Sequence, residues 1–467
     1  MFKNLFNRSI SFLLCLATVL MLAPVCVSGA SKSDLVAYVA DENTNAYPEK
    51  YNEYLNSSSG KGRTWEGFAW RGDEVLSRID FLTRTNEYKN VNLIAEDFVS
   101  SDGKIIESKN ISFTYLDSAY IEEKGYSLFD IITDKRSRDM QAKSMYSAWV
   151  SVSVPESASA GVYTGELKAV SGTDTVATFT YTLTVYDLVQ PEISSTVDLW
   201  MWPYNSIRYY SGKTTEEYYG QEVMEDIDWE TLYNTHLDKK YFPALESELE
   251  LYAKAGGDTV FAQVNEYNRT NGDPYPSLVK WIKNTDGTMS FDYTDFDKWV
   301  ELNFKHGIDK EIKCYAMGVF SNNIVYYDMS KKKVMCFPDS TGGGYWKRYW
   351  AMFLDDFIAH LEKKGWFDIT YMAMDEKDYK ITKAVIDEVK LHKNKKGESL
   401  KIATAVATFD CEELFDDIDD LSLAYGMSGG RLVNIVEDRN KKGLITTLYT
   451  CGPQGSSMLN DAGQSAE

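Results

Sequence analysis

The stretch EIKCYAMGVF (311–320) is followed by YWKRYWAMFLDDFIAHLEKKG (345–365) and FDITYMAMD (367–375), and these three segments decide the fold. The first and third are short, mostly apolar runs of strand length. The second has the spacing of an amphipathic helix. A strand, a helix and another strand in this order predict two parallel strands joined by a helical crossover.

The same alternation continues on both sides of these segments. The other strand candidates are STVDLWMW (195–202), DTVFAQVN (258–265), KIATAVAT (401–408), LSLAYG (421–426) and LITTLYTC (444–451). Helical stretches follow the first, second and fourth strands, at 242–256, 293–307 and 379–393. Seven strand candidates predict an incomplete (β/α)8 TIM-type barrel rather than a short open sheet. The last strand is missing from the sequence, so we expect a truncated barrel.

Upstream of Pro191 the hydrophobic period is two residues instead of three to four. The alternating runs are RIDFLTRTN (78–86), NVNLIAEDF (90–98), NISFTYLD (110–117), AWVSVSV (148–154), GELKAV (165–170) and TFTYTLTVYD (178–187). Gly, Asp and Ser clusters separate them, as at 101–103 and 171–174. Short strands with such turns predict an N-terminal antiparallel β-sandwich.

The start of the chain has the features of a signal peptide. Lys3 and Arg8 precede an apolar run from Ile10 to Ala23, and small residues at 28–30 suit a cleavage site. We therefore expect a signal peptide at 1–30, a β-sandwich domain at 31–190 and a catalytic barrel at 191–467. We expect a protein that is secreted or lies at the cell surface, with no transmembrane segment.

Composition narrows the classes of function. The formal net charge of −21 repels phosphate backbones, so we expect no nucleic-acid partner. Aromatic residues make up 14% of the chain, which suits core packing and also stacking on the apolar faces of sugar rings. Cysteines and histidines show no metal-ligand spacing, and no phosphate-binding glycine motif follows a strand. We therefore predict no metal and no organic cofactor.

The carboxyl ends of the predicted parallel strands should hold the site. The candidates there are catalytic Asp375 and Glu376 and the substrate-binding residues Trp200, Trp202, Asn265, Glu266, Tyr315 and Tyr425, with Tyr449 and Cys451 ending the seventh strand. Asp375 and Glu376 directly follow an apolar run, so they are costly to bury unless they face a cleft. Adjacent carboxyls raise one pKa and so suit acid–base chemistry. An alternative is that Asp375 caps the following helix.

At these residues the chain resembles glycoside hydrolase family 123, the β-N-acetylgalactosaminidases. The resemblance is carried by KKGWFDITYMAMDEK (363–377), DGTMSFDYTDFDKWVELNFKHGIDKEIKCYAMGVF (286–320), YTCGP (449–453), FAWRGDEV (68–75) and AWVSVSVPESASAGVYTGEL (148–167). The match extends in order from about Trp65 to Pro453. Lys377 departs from the pattern, since Arg is common in the family after the Asp-Glu pair.

The resemblance implies substrate-assisted retaining catalysis, in which the acetamido oxygen of the substrate attacks the anomeric carbon. It implies that Glu376 acts as general acid and base and that Asp375 holds the acetamido N–H. The partner is then a glycan substrate, a glycolipid or glycoprotein oligosaccharide bearing terminal β-linked N-acetylgalactosamine. Two alternatives stay open: a β-N-acetylglucosaminidase, and a non-catalytic carbohydrate-binding protein.

Overall fold

The computed structural model describes residues 34–40, 43–58, 61–121, 125–191, 197–213, 217, 229–265, 276–315, 317–318, 323–424, 427 and 430–449. The chain forms two compact units, of which the first ends at Pro191. The predicted signal peptide at 1–30 lies outside the described residues. None of the helices in the described part of the chain is long and apolar enough to cross a membrane.

The first unit is built from strands. They are β1 (Leu35–Ala40), β2 (Thr64–Arg71), β3 (Glu74–Thr83), β4 (Tyr88–Ala95), β5 (Phe98–Ser100), β6 (Ile105–Ile106), β7 (Ile111–Ile121), β8 (Tyr126–Ile132), β9 (Ser137–Met140), β10 (Met145–Ser153), β11 (Gly161–Ser171) and β12 (Asp174–Val189). One short helix, α1 (Tyr51–Ser57), lies between β1 and β2.

These strands form two sheets around a shared core. A five-stranded sheet has the order β1-β3-β10-β7-β8, and a seven-stranded sheet has the order β2-β12-β11-β4-β9 with β5 and β6 attached. Phe81 of the first sheet and Phe179 of the second belong to one buried cluster, as the period-two pattern requires. The predicted purely antiparallel pairing is wrong at one place, because β2 pairs with β12 in parallel.

The second unit contains both helices and strands. The helices are α2 (Pro203–Tyr210), α3 (Trp229–Asn234), α4 (Phe242–Lys254), α5 (Thr294–Lys305), α6 (Gly344–Lys364), α7 (Tyr379–Leu391) and α8 (Gly430–Lys441). The strands are β13 (Thr259–Gln263), β14 (Lys280–Lys283), β15 (Met289–Asp292), β16 (Glu311–Tyr315), β17 (Asn323–Asp328), β18 (Lys333–Pro338), β19 (Thr370–Met374), β20 (Lys401–Val406), β21 (Asp420–Ala424) and β22 (Ile445–Tyr449).

Six of these strands form a parallel sheet in the order β13-β16-β19-β20-β21-β22. The first predicted strand, 195–202, contributes only a single bridge, between Val197 and Gly257. The described residues thus contain a six-stranded parallel sheet instead of seven consecutive barrel strands. Helical crossovers return the chain to the edge of the sheet at which the parallel strands begin. Gly365, at φ +76°, ends α6 before the chain enters β19.

The two faces of this sheet differ. Ile312 and Cys314 of β16 belong to the large apolar core shared with the helices. Their neighbours Lys313 and Tyr315 point to the opposite face, where charged and aromatic side chains meet. Candidate site residues therefore collect on one face because side chains alternate along each strand.

Two hairpins absent from the sequence prediction form a separate sheet of order β15-β14-β17-β18. Both hairpins pair antiparallel, so strands after Val197 are not all parallel. The hairpins interrupt the alternation after β13 and after β16. Asn265, two residues past the end of β13, connects the two sheets, since its amide bonds to the backbone of Val325.

Candidate active site

Asp375 and Glu376 lie directly after β19, where the chain leaves the sheet. All five residues of that strand are buried, whereas Asp375 is half-buried and Glu376 is exposed. The backbone N–H of Glu376 donates to Oδ1 of Asp375 at 2.9 Å. The strand has ended at Met374, so the alternation that would separate neighbouring side chains no longer applies.

Asp378, and not Asp375, caps the helix that follows. Its carboxylate accepts a hydrogen bond from the backbone N–H of Ile381 at 2.9 Å, and α7 begins at Tyr379. The capping interpretation of Asp375 is therefore wrong. Asp375 and Glu376 lie in the connection between β19 and Asp378, the cap of α7. Neither carboxylate is needed to end the strand or to begin the helix.

Glu376 is in contact with a side chain from a distant strand. The hydroxyl of Tyr449, the last residue of β22, hydrogen-bonds to Oε1 of Glu376. Two strands, β20 and β21, separate β22 from β19, so in a flat sheet the two strands would lie about 14 Å apart. The contact indicates a curled sheet, in which the carboxyl end of β22 turns toward that of β19.

An aromatic cluster lies beside the acidic pair. The rings of Trp200 and Tyr315 have centroids 5.0 Å apart, and the indole N–H of Trp200 donates to the Tyr315 hydroxyl at 3.1 Å. Phe261 packs on both, and the ring of Trp202 lies 5.2 Å from that of Phe261. Three of the predicted binding residues, Trp200, Trp202 and Tyr315, are thus brought together.

Tyr315 connects this aromatic cluster to the acidic pair. Burial, with the negative charges of Asp198 and Asp375, raises the pKa of the Tyr315 phenol. The phenol is therefore protonated at neutral pH. Its oxygen accepts the indole N–H of Trp200, and the hydroxyl keeps one proton to donate.

Asn265 has an evident structural contact. It is 1% exposed, its side-chain N–H donates to the carbonyl of Val325, and its side-chain oxygen accepts from the Val325 N–H. These two bonds attach β17 to the end of β13, whatever else the amide contacts. Glu266 and Tyr425, the remaining predicted binding residues, lie outside the described residues.

Toward the other end of the same face lies an ionic cluster that sequence reasoning missed. The ammonium of Lys313 is 2.8 Å from Asp198, 3.5 Å from Glu311 and 2.5 Å from Asp420. Burial opposes its charge, but Asp198 and Asp420 raise the pKa of Lys313. Burial, aided by the charge of Asp420, raises the pKa of Glu311, which is also hydrogen-bonded to Tyr371. Lys313, a charged residue within a mostly apolar strand, was the signal in the sequence that could have revealed this cluster.

The cysteines are free thiols where the structure describes them. Cys314 and Cys411 are buried and Cys336 is half-buried, with no disulfide between Cys314 and Cys336. Across the described ranges, no group of three or more His, Cys, Asp or Glu side chains is arranged to hold a metal ion. Around Asp375 and Glu376 the described side chains can transfer protons through carboxyls and donate hydrogen bonds through phenols.

Comparisons with known proteins identify the family of this chain. The chain matches the model of the glycoside hydrolase 123 catalytic domain over residues 229–462 and that of the glycoside hydrolase 123 N-terminal domain over residues 43–171. A solved structure of a family 123 glycoside hydrolase from Clostridium perfringens, described for glycolipid glycan hydrolysis, is similar. It is 30% identical over 90% of this chain and 72% of that chain, with a TM-score of 0.79.

More distant structures add nothing to the argument. A Bacteroides ovatus GH5 xyloglucanase is 10% identical over 83% of this chain and 71% of that chain, but the TM-score is 0.22. No curated protein matches the chain in sequence. The two domain models and the Clostridium perfringens enzyme suffice, and the chain belongs to glycoside hydrolase family 123.

Proposed function

We propose that this family 123 glycoside hydrolase is an exported enzyme that removes terminal β-linked N-acetylgalactosamine by substrate-assisted, retaining catalysis. The observation that carries the proposal is the adjacency of Asp375 and Glu376 at the carboxyl end of β19, beside the aromatic cluster of Trp200, Trp202 and Tyr315. The Clostridium perfringens relative is described for glycolipid glycan hydrolysis, so we propose glycolipid or glycoprotein glycans as substrates.

In the first step the acetamido carbonyl oxygen of the substrate attacks the anomeric carbon. The bond from that carbon to the leaving oxygen breaks, and the proton of Glu376 passes to the leaving oxygen. Asp375 accepts a hydrogen bond from the acetamido N–H and stabilises the oxazolinium intermediate. The anomeric carbon is thereby inverted once, and no bond forms between the sugar and the protein.

In the second step water attacks the anomeric carbon of the oxazolinium from the opposite side. Glu376, now a carboxylate, takes the proton from that water and so returns to its starting state. The second inversion restores the β configuration and regenerates the acetamido group. Asp375 remains charged throughout, because its role is electrostatic.

Binding is proposed to use the aromatic side chains. Trp200, Trp202 and Tyr315 pack on the sugar or on its acetamido methyl group, which suits their apolar ring faces. Asn265, Glu266 and Tyr425 remain candidate binding residues. We also propose that the parallel sheet belongs to an incomplete (β/α)8 barrel and that residues 31–190 form a β-sandwich domain.

The proposal is tested with three chromogenic substrates that share one leaving group. We expect turnover of the β-N-acetylgalactosaminide and none of the β-galactoside, because the galactoside lacks the attacking acetamido group. Turnover of both at similar rates would contradict substrate assistance. Preference for the N-acetylglucosaminide would favour the epimeric specificity, and sugar binding without any turnover would favour a carbohydrate-binding protein.

A further inference from the structure

The contact between Glu376 and Tyr449 carries an inference beyond the roles of the two carboxyls. The phenol hydroxyl of Tyr449 bonds to one oxygen of the Glu376 carboxyl, Oε1. The leaving oxygen and the attacking water lie on the same side of the anomeric carbon, so a carboxyl that does not rotate serves both with the same oxygen. A hydrogen-bond donor fixed on Oε1 therefore leaves Oε2 for the two proton transfers.

We infer that Tyr449 is a positioning residue that orients the Glu376 carboxyl and assigns proton transfer to Oε2. This inference rests on the proposed function, since it concerns the acid and base of the same reaction. Tyr449 acts through Glu376 and needs no contact with the sugar.

The fold explains why this residue can do so. Tyr449 is the last residue of β22 and pairs with Ala424 of β21, so its backbone is fixed by the sheet. Glu376 is exposed and lies in a connection outside the strand ladder. A side chain from the rigid sheet therefore holds a side chain from a less constrained loop.

The surroundings of Glu376 contain several other ionisable groups. They are Asp375, Lys377 and Asp378 of its own loop, Tyr315 of β16, which interacts with Asp375, and Cys411, whose thiol contacts the backbone carbonyl of Lys377. The described cations form no ion pair with Glu376. The orientation of its carboxyl therefore depends on the phenol more than it would beside a lysine or arginine.

The first test is Tyr449→Phe, which removes one hydroxyl and keeps the ring. Without the hydroxyl the Glu376 carboxyl is no longer held at Oε1, so kcat should fall about tenfold while KM changes little. The matched control is Tyr371→Phe, which removes a phenol bonded to Glu311 and should leave kcat unchanged.

Two further measurements make the result decisive. A crystal structure of Tyr449→Phe reports, without turnover, whether the Glu376 carboxyl leaves its wild-type orientation. A double-mutant cycle should show that Tyr449→Phe lowers kcat about tenfold in the wild-type background but not in Glu376→Gln.

The possible failures are distinct. If wild-type protein turns over no N-acetylhexosaminide, the proposed function fails, and the crystal structure of Tyr449→Phe still decides whether Tyr449 orients Glu376. An unchanged orientation of the Glu376 carboxyl in that structure overturns the inference even when the enzyme is active. An equal loss of kcat in both backgrounds also overturns it, because Tyr449 would then act independently of Glu376.

Discussion

The two ends of the parallel sheet carry similar side chains in different surroundings. Toward the amino end, Glu311 bonds to Tyr371 and lies 3.5 Å from the ammonium of Lys313, which also pairs with the buried Asp420. At the carboxyl end, Glu376 bonds to Tyr449 and is exposed. The same carboxylate–phenol pair is built into the interior at one end and open to solvent at the other.

This difference in burial predicts different roles for the two ends of the sheet, one in stability and one in catalysis. A buried ammonium surrounded by carboxylates is fixed in its charge state, so the amino-end cluster contributes to the folded structure. An exposed carboxyl held by a neutral phenol can gain and lose a proton, which an acid–base catalyst requires. We therefore expect substitutions at the carboxyl end to change rates and those at the amino end to change stability.

The largest effect is expected from Glu376→Gln. An amide cannot donate the proton that the leaving oxygen needs, so kcat/KM should fall by roughly 10²–10⁴-fold on substrates with poor leaving groups. The melting temperature should stay near that of the wild type because the side chain is exposed. Full activity of Glu376→Gln would contradict the catalytic role that distinguishes the carboxyl end of the sheet from the amino end.

The next effect is expected from Lys313→Met. Removing the ammonium leaves Asp198, Glu311 and Asp420 without their shared cation, which should cost about 3–5 kcal/mol of unfolding free energy. Denaturant unfolding of the variant measures this cost. The matched control is Lys383→Met, which breaks an exposed pair with Asp387 and should cost about 0.5 kcal/mol or less. Equal losses in both variants would contradict the account.

The smallest effect is expected from Glu311→Gln, and its sign is informative. Burial raises the pKa of Glu311, so the stability conferred by its protonated form is complete at low pH. That stability is lost as pH rises through the ordinary pKa and then the folded-state pKa. The variant should therefore gain in melting temperature relative to wild type between acidic and neutral pH. A relative loss over that range would mean that the Glu311 carboxylate is needed by Lys313.

Part of the second unit could be predicted from the sequence because the physical signals are local. The strand before Asp375 is almost wholly apolar, and α6 before it has an amphipathic pattern that ends at Gly365. Such periodicity marks elements directly. The hairpins β14–β15 and β17–β18 were missed because an alternation of strands and helices predicts helical crossovers and leaves no place for hairpins inserted between a strand and its helix.

The candidate site, like the fold, could be predicted only where the signal is local in the sequence. Position at a strand end identified Asp375, Glu376 and Tyr315, since a parallel sheet places those ends together. The bond between Tyr449 and Glu376 depends on how far the sheet curls, which no local pattern reports. The contacts of Asn265 depend on β17, an element the sequence pattern did not mark.

The central claim is that Glu376 transfers the proton while Asp375 assists the acetamido group, and one comparison tests it most directly. Glu376→Gln and Asp375→Asn are assayed on two β-N-acetylgalactosaminides, one with an acidic phenol as leaving group and one with an alkyl alcohol. The account predicts that the acidic phenol largely restores Glu376→Gln, because that group needs little protonation, and that Asp375→Asn remains equally slow on both. Restoration of Asp375→Asn by the phenol, or a sugar covalently attached to either residue, would contradict the account.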